Sequence, residues 1–285
     1  MKRYFVLLAI LFITAAAIAQ PIQVQKSTYV AKENNIFHAN EVVATNTKTG
    51  MTLVVWERVT SNSRQISGRI LNNRGAAAQE SFTIVSDPNA AHPAIVYNPT
   101  ANEFLLAYDD NPQIQLRHSD MYVMRLNAQG RPASSAAKIT TDSVSTEMGN
   151  FNAKVAFNSR NSSYVVLWLR EVINSGQADD GTNGLVGALL SSNASLNGSP
   201  VLLQKTTIES NRLWEPIPQD VLFHPCNGKL LVVYVQIRSG TSGGQADYVL
   251  GTLDPSLSGV TSANFVQVNP SPVILSNGFA WSGRI

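Results

Sequence analysis

The chain has one cysteine, Cys226, in 285 residues. No disulfide can close within it, which excludes a small disulfide-stapled scaffold. Charged residues are scarce, at 14%. That is too few for a coiled coil or a helical bundle with a polar outer surface. Neither charge dominates, with 21 Lys and Arg against 19 Asp and Glu. The four histidines, His38, His92, His118 and His224, show no metal-ligand spacing, so no metal or other cofactor is expected. Long apolar runs are absent except at the start. The composition does hold 44% apolar and 8% aromatic residues, enough to fill a core and to exclude wholesale disorder.

The one long apolar run, Tyr4 to Ala17, follows Lys2 and Arg3 and leads into Ala17-Ile18-Ala19. Charged start, apolar middle and small-residue end predict a signal peptide over residues 1–19. The run is short for a membrane span of about 20 residues. The expectation is a secreted or periplasmic protein with no membrane attachment after cleavage. Removing Lys2 and Arg3 leaves 19 basic residues against 19 acidic. The mature chain is then formally neutral, and nucleic acid is not an expected partner.

A pattern recurs four times. A short β-type run ends in Asn46, Asn98, Asn158 or His224. A polar turn follows, then an apolar run ending in Trp56, Tyr108, Trp168 or Tyr234. Marker and aromatic are ten residues apart every time. A constant offset of this kind fixes the register of a repeated hairpin. A third run follows each hairpin (Ile66–Leu71, Met121–Leu126, Leu185–Leu190, Tyr248–Leu253) and leads into a turn with Gly75, Gly130, Gly198 or Gly259. A weaker fourth run closes each unit.

Four strands on a period of about 50 residues predict an all-β fold, a β-propeller of four-stranded antiparallel blades. The second runs are apolar at consecutive positions, as in strands buried on both faces. Residues 20–285 form a single domain on this reading. Its blades are placed at about 40–87, 92–141, 152–207 and 219–268. Pro21 to Thr28 matches Pro200 to Thr207, a fourth strand, and is expected to be an N-terminal strand that closes the ring. Residues 269–285, with Gly278-Phe279-Ala280-Trp281, are expected to be the remnant of a further, incomplete blade.

The hairpin with asparagine ten residues before an aromatic, and the Asn-x-x-Gly turns at Asn72–Gly75 and Asn127–Gly130, resemble the repeats of secreted bacterial β-propeller repeat proteins. The resemblance spans about residues 21–268 and implies architecture. It carries no function with it.

Variable loops on a regular scaffold are where binding is usually found. The loops between second and third strands, and those between blades, share the face around the channel mouth. That face gathers Glu57, Asp109, Asp110, Glu171, His92, Trp214 and Glu215. Glu57 and Asp109 each follow a marker aromatic and so occupy equivalent places. Trp214, expected in the longest blade-to-blade loop, is the candidate for stacking on a sugar ring. Asp179 and Asp180 offer oxygens for a calcium ion but lack spaced ligands. The expectation is a monomeric, non-enzymatic propeller binding a glycan or protein through Trp214, Glu215, Asp109, Asp110 and His92. The alternative is a propeller-type glycoside hydrolase or lyase using Glu57, Asp109 and Glu171, which requires those carboxylates to converge.

Overall fold

The computed structural model describes residues 36–60, 64–110, 119–141, 148–172, 183–209, 212–238, 245–268 and 273–274. The signal peptide, the closing-strand segment and most of residues 269–285 lie outside them. Blade 1 consists of β1 (Phe37–Thr45), β2 (Thr52–Val59), β3 (Arg64–Leu71) and β4 (Phe82–Val85). Blade 2 has β5 (Ala91–Asn98), β6 (Glu103–Asp109), β7 (Met121–Leu126) and β8 (Ala137–Lys138). Blade 3 has β9 (Met148–Asn158), β10 (Ser163–Val172), β11 (Gly184–Leu190) and β12 (Val201–Lys205). Blade 4 has β13 (Thr207–Glu209), β14 (Arg212–His224), β15 (Lys229–Arg238), β16 (Gln245–Leu253), β17 (Phe265–Gln267) and β18 (Val273–Ile274). The four sheets are antiparallel, and the first three run in simple chain order across four strands. The fold is an all-β propeller.

The ten-residue offset has a structural cause at each end. At the turn, the Asn46 side-chain oxygen accepts the N–H groups of Lys48 and Thr49 at 3.0 and 3.2 Å. Asn98 does the same for Thr100 and Ala101. Four residues after each marker the chain is left-handed, at Gly50, Asn102, Ser162 and Gly228, with φ from 56 to 72°. At the other end every hairpin carries a β-bulge. Two inner-strand residues there oppose one marker aromatic: Asn40 and Glu41 oppose Trp56, and His92 and Pro93 oppose Tyr108. The first bulged residue is left-handed in three blades, at Asn40, His92 and Asn152. A bulge bends the strand and re-aims its side chains.

The core lies between the blades. One buried cluster joins blades 1 and 2, a second joins blades 2 and 3, and a third joins blades 3 and 4. Tyr108, Trp168 and Tyr234 each sit in the cluster shared with the preceding blade. Each fully buried large apolar side chain contributes about 1.5–3 kcal/mol. The inner strands β1, β5, β9 and β14 pack in series, and all four border one cavity of about 390 Å³. Among the described residues no apolar cluster joins blade 4 back to blade 1.

Three details differ from the sequence reading. The segment 205–218 is not a loop: Thr207 pairs with Trp214 in a short hairpin, and β14 runs 13 residues. β15 pairs with β14 from Trp214 to His224, and β13 pairs with its first three residues. The turns after the third strands place Ala194 and Leu257 in the left-handed position that Gly75 and Gly130 hold in blades 1 and 2. Gly198 and Gly259 come later in those turns. Val273–Ile274 pairs with Gln245–Ala246 of β16, on the edge of blade 4.

Candidate functional site

The inner strands start at the loop-rich face and run to the hairpin turns, so the bulges lie near the channel mouth. Residues 61–63, 111–118, 142–147, 173–182 and 239–244 lie outside the described residues. The calcium candidates Asp179 and Asp180 fall among them. Among the described residues no group of three or more His, Cys, Asp or Glu could hold a metal ion.

Glu57 follows Trp56 on β2 and faces blade 2. Its Oε1 accepts the Asn40 side-chain amide at 2.5 Å and the His92 backbone N–H at 2.5 Å. Its Oε2 lies 3.7 Å from the Arg64 guanidinium. Asp109 holds the same place on β6, and its Oδ2 lies 2.8 Å from His92 Nδ1. In blades 1 and 2 the left-handed bulge residue thus contacts the carboxylate that follows its own marker aromatic: Asn40 meets Glu57, and His92 meets Asp109. His92 also gives its backbone N–H to the carboxylate of the blade before. Exposure is 2% for Glu57, 0% for Asp109 and 5% for His92.

His92 therefore links two buried carboxylates from adjacent blades. Glu171 is not in this group by position. The third blade places Leu169 after its aromatic, and Glu171 lies two residues on, opposite Gly149.

Asp110 is half-buried beside the pair and accepts the Asp120 N–H at 2.6 Å. Burial first, then the charges of Asp120 and Asp109, pushes its carboxyl above the usual carboxylate range. Tyr122 hydrogen-bonds Asp110 and stacks on Tyr108 with ring centroids 5.6 Å apart. Burial pushes both phenols up to about 12, with the charges of Asp87 and Asp110 adding to it. Asp120 itself lies 2.6 Å from Lys138 and accepts Thr140 Oγ1 at 2.5 Å.

Sequence reasoning missed Asp120, Tyr122, Lys138 and Thr140, which meet only through strand pairing in blade 2. It also missed Asn150, which accepts the Trp168 indole N–H at 2.7 Å and donates to the Ser119 carbonyl at 2.8 Å. That side chain ties blade 3 to blade 2 at the mouth. Trp214 and Glu215 lie in β14, opposite Arg238 and Ile237 of β15, rather than in a loop. Their side chains fall outside the described residues.

No family model matches the chain, and no curated protein matches it. Solved structures do resemble it. An α-L-arabinofuranosidase from Lactobacillus brevis superposes with a TM-score of 0.53 at 16% identity, covering 85% of this chain and 75% of that one. An N-acetylgalactosamine deacetylase from F. plautii, in complex with blood group B trisaccharide, gives 0.53 at 10% identity, covering 86% and 75%. A glycosyl hydrolase from Bacteroides ovatus gives 0.51 at 11% identity, covering 90% and 80%. At such identities the likeness establishes the propeller fold. Each of these neighbours is a glycan-processing enzyme. This finding runs against the expectation of a non-enzymatic binding propeller.

Proposed function

We propose that this propeller is a carbohydrate-processing enzyme, a glycoside hydrolase working at the channel mouth of blades 1 and 2. The observation that carries the proposal is the meeting of Glu57 and Asp109, from equivalent positions of two blades, on the single residue His92. Glycoside hydrolysis needs one carboxyl to protonate the leaving oxygen and another to act as base or nucleophile. Asp110, whose raised carboxyl keeps a proton to higher pH, suits the acid role beside them. Asp109 orients the His92 ring through their 2.8 Å contact, as a carboxylate does beside a catalytic imidazole. The glycan-processing neighbours support the same reading. Export through residues 1–19 belongs to the proposal, since a glycan substrate outside the cytoplasm suits it.

The test is a panel of aryl glycosides and oligosaccharides, arabinofuranosides included. Turnover by the native chain is expected, with Asp109→Asn and Asp110→Asn each slowing it by about 100-fold or more while the protein stays folded. A folded native chain that cleaves nothing on the panel, or variants that retain full rate, would overturn the assignment.

A further inference from the structure

The marker asparagines tie neighbouring blades together at the turn end of the inner strands. The Asn46 side-chain amide donates to Asn102 Oδ1 of blade 2 at 3.1 Å. The Asn98 amide donates to the Tyr164 hydroxyl of blade 3 at 2.7 Å. These acceptors stand four and six residues after the next blade's marker. Blade 4 has Gly228 and Leu230 at those two places, and neither side chain can accept. Asn158 keeps only its oxygen contact, accepting the Arg160 N–H at 3.0 Å. Among the described residues nothing accepts from its side-chain amide, although the residue is only 4% exposed. At this junction of blades 3 and 4 lies a cavity of about 450 Å³ that Asn158 borders. The bulges that carry Asn40 and His92 are at the other end of the inner strands.

We propose that this cavity binds a neutral sugar unit, a second carbohydrate site at the end of the blades opposite the channel mouth. Its walls select that class. Arg160 donates from Nη2 to the carbonyls of Pro225 and Cys226 at 3.0 and 2.9 Å. Those bonds hold the guanidinium across Gly228, where any Cβ would collide with it. Its Nε and Nη1 donate to none of the described residues. Asp254 borders the same cavity, its carboxylate accepting from Ser256 and lying 3.4 Å from Lys229. Among the described residues no ion pair joins Asp254 to Arg160. An anion placed between them would meet the Asp254 charge, and a cation the Arg160 charge. A neutral hydroxyl both donates and accepts, so it satisfies the two walls together. The side-chain amides of Asn158 and Asn197 add further donors on the cavity wall. Phe223 and Leu189 give it an apolar side, which suits the C–H face of a sugar ring. The volume falls in the range of about 300–1,000 Å³ that small-molecule sites occupy. The proposal does not rest on the hydrolase reading and uses none of the residues assigned to it.

Two-dimensional NMR of the isotope-labelled chain tests it. The probes are the methyl glycosides of glucose, galactose, xylose and arabinose, N-acetylglucosamine and N-acetylgalactosamine, with sodium sulfate as the anion control. At least one sugar is expected to shift the signals of Asn158, Arg160, Asn197 and Ser256 in a saturable way. Arg160→Ala and Asn197→Ala should each weaken that binding by about fivefold, the loss of one hydrogen bond. Both side chains are exposed, so circular dichroism of the variants should match the native protein. Turnover of aryl glycosides reads the channel mouth alone, so this proposal and the hydrolase reading fail separately. The absence of shifts at these four residues would overturn the proposal, and a cavity already filled by the chain itself would give that result. So would shifts confined to His92 and Asp110, an equal response to sulfate, or either variant binding as well as the native chain.

Discussion

Replacing Glu57 with alanine removes one acceptor that three groups share. Asn40 and the His92 backbone N–H both donate to its Oε1, and Arg64 lies against its Oε2. Without it the His92 N–H loses the acceptor that terminates the blade 2 bulge. A buried donor left without a partner costs about 1–3 kcal/mol. Breaking a buried charge pair by deleting one member costs about 3–5 kcal/mol. These overlap, because they describe the same carboxylate, so a total of about 4 kcal/mol is the reasoned loss. For a chain of this size that corresponds to a melting point lower by about 8–15 °C. Glu57→Gln keeps an acceptor oxygen for His92 and loses only the charge facing Arg64, so about half that loss or less is expected. Thermal melts followed by near-ultraviolet circular dichroism measure the first quantity, and amide hydrogen exchange at His92 measures the local one. A melting point within about 1 °C of native for Glu57→Ala, or unchanged exchange at His92, would refute the clamp. If Glu57→Gln melts near native yet loses turnover, the same carboxylate also serves the chemistry.

Two further outcomes follow from particular contacts. Gly187→Ala places a Cβ 2.8 Å from Leu257 Cδ1 and 2.9 Å from Leu203 Cδ1. Chemical denaturation should show a loss of about 1–3 kcal/mol from overpacking the junction of blades 3 and 4, and a native midpoint would show that the junction yields freely. Asp110 gives a pH effect. Its folded carboxyl is raised, so between the ordinary carboxylate range and its raised value the folded chain holds a proton that the unfolded chain has released. The stability it contributes is full at low pH and is lost as pH rises through the folded value. Asp110→Asn should flatten that part of the stability–pH curve measured by urea titration, and an unchanged slope would remove the burial argument.

The hairpin was legible in the sequence because its two ends have local causes. The turn needs a side-chain acceptor at Asn46, Asn98 or Asn158 and a left-handed residue four positions on. The bulge needs an aromatic opposite two inner-strand residues. The equivalence of Glu57 and Asp109 follows from the same count. Their meeting through His92 does not, because it depends on the left-handed backbone at His92 and on how blade 1 sits against blade 2. Trp214 was misplaced for a different reason. Loop and strand compete in a segment where pairing partners decide, and Thr207 with Arg238 supplied them. The apolar runs of β2, β6, β10 and β15 read alike, yet Leu231 and Val233 of β15 are half-buried where all seven residues of β6 are buried. Composition records what a strand is able to bury. The neighbour decides what is buried.

The bulge also shows where a repeat stops being scaffold. All four blades keep the marker aromatic opposite it, and Tyr108, Trp168 and Tyr234 pack in the clusters between blades. The polar pair around it is kept only in blades 1 and 2. Blade 3 has the left-handed Asn152 but Leu169 where a carboxylate would stand. Blade 4 has Pro218, whose ring fixes φ and removes the donor, and Val235 in the acceptor's place. A pair needed only to terminate bulges would be as useful in blades 3 and 4, which close theirs without it. Two buried carboxylates and a histidine are a costly way to end a strand. Their restriction to two adjacent blades, beside Asp110 and Tyr122 of blade 2, fits the proposed hydrolase reading.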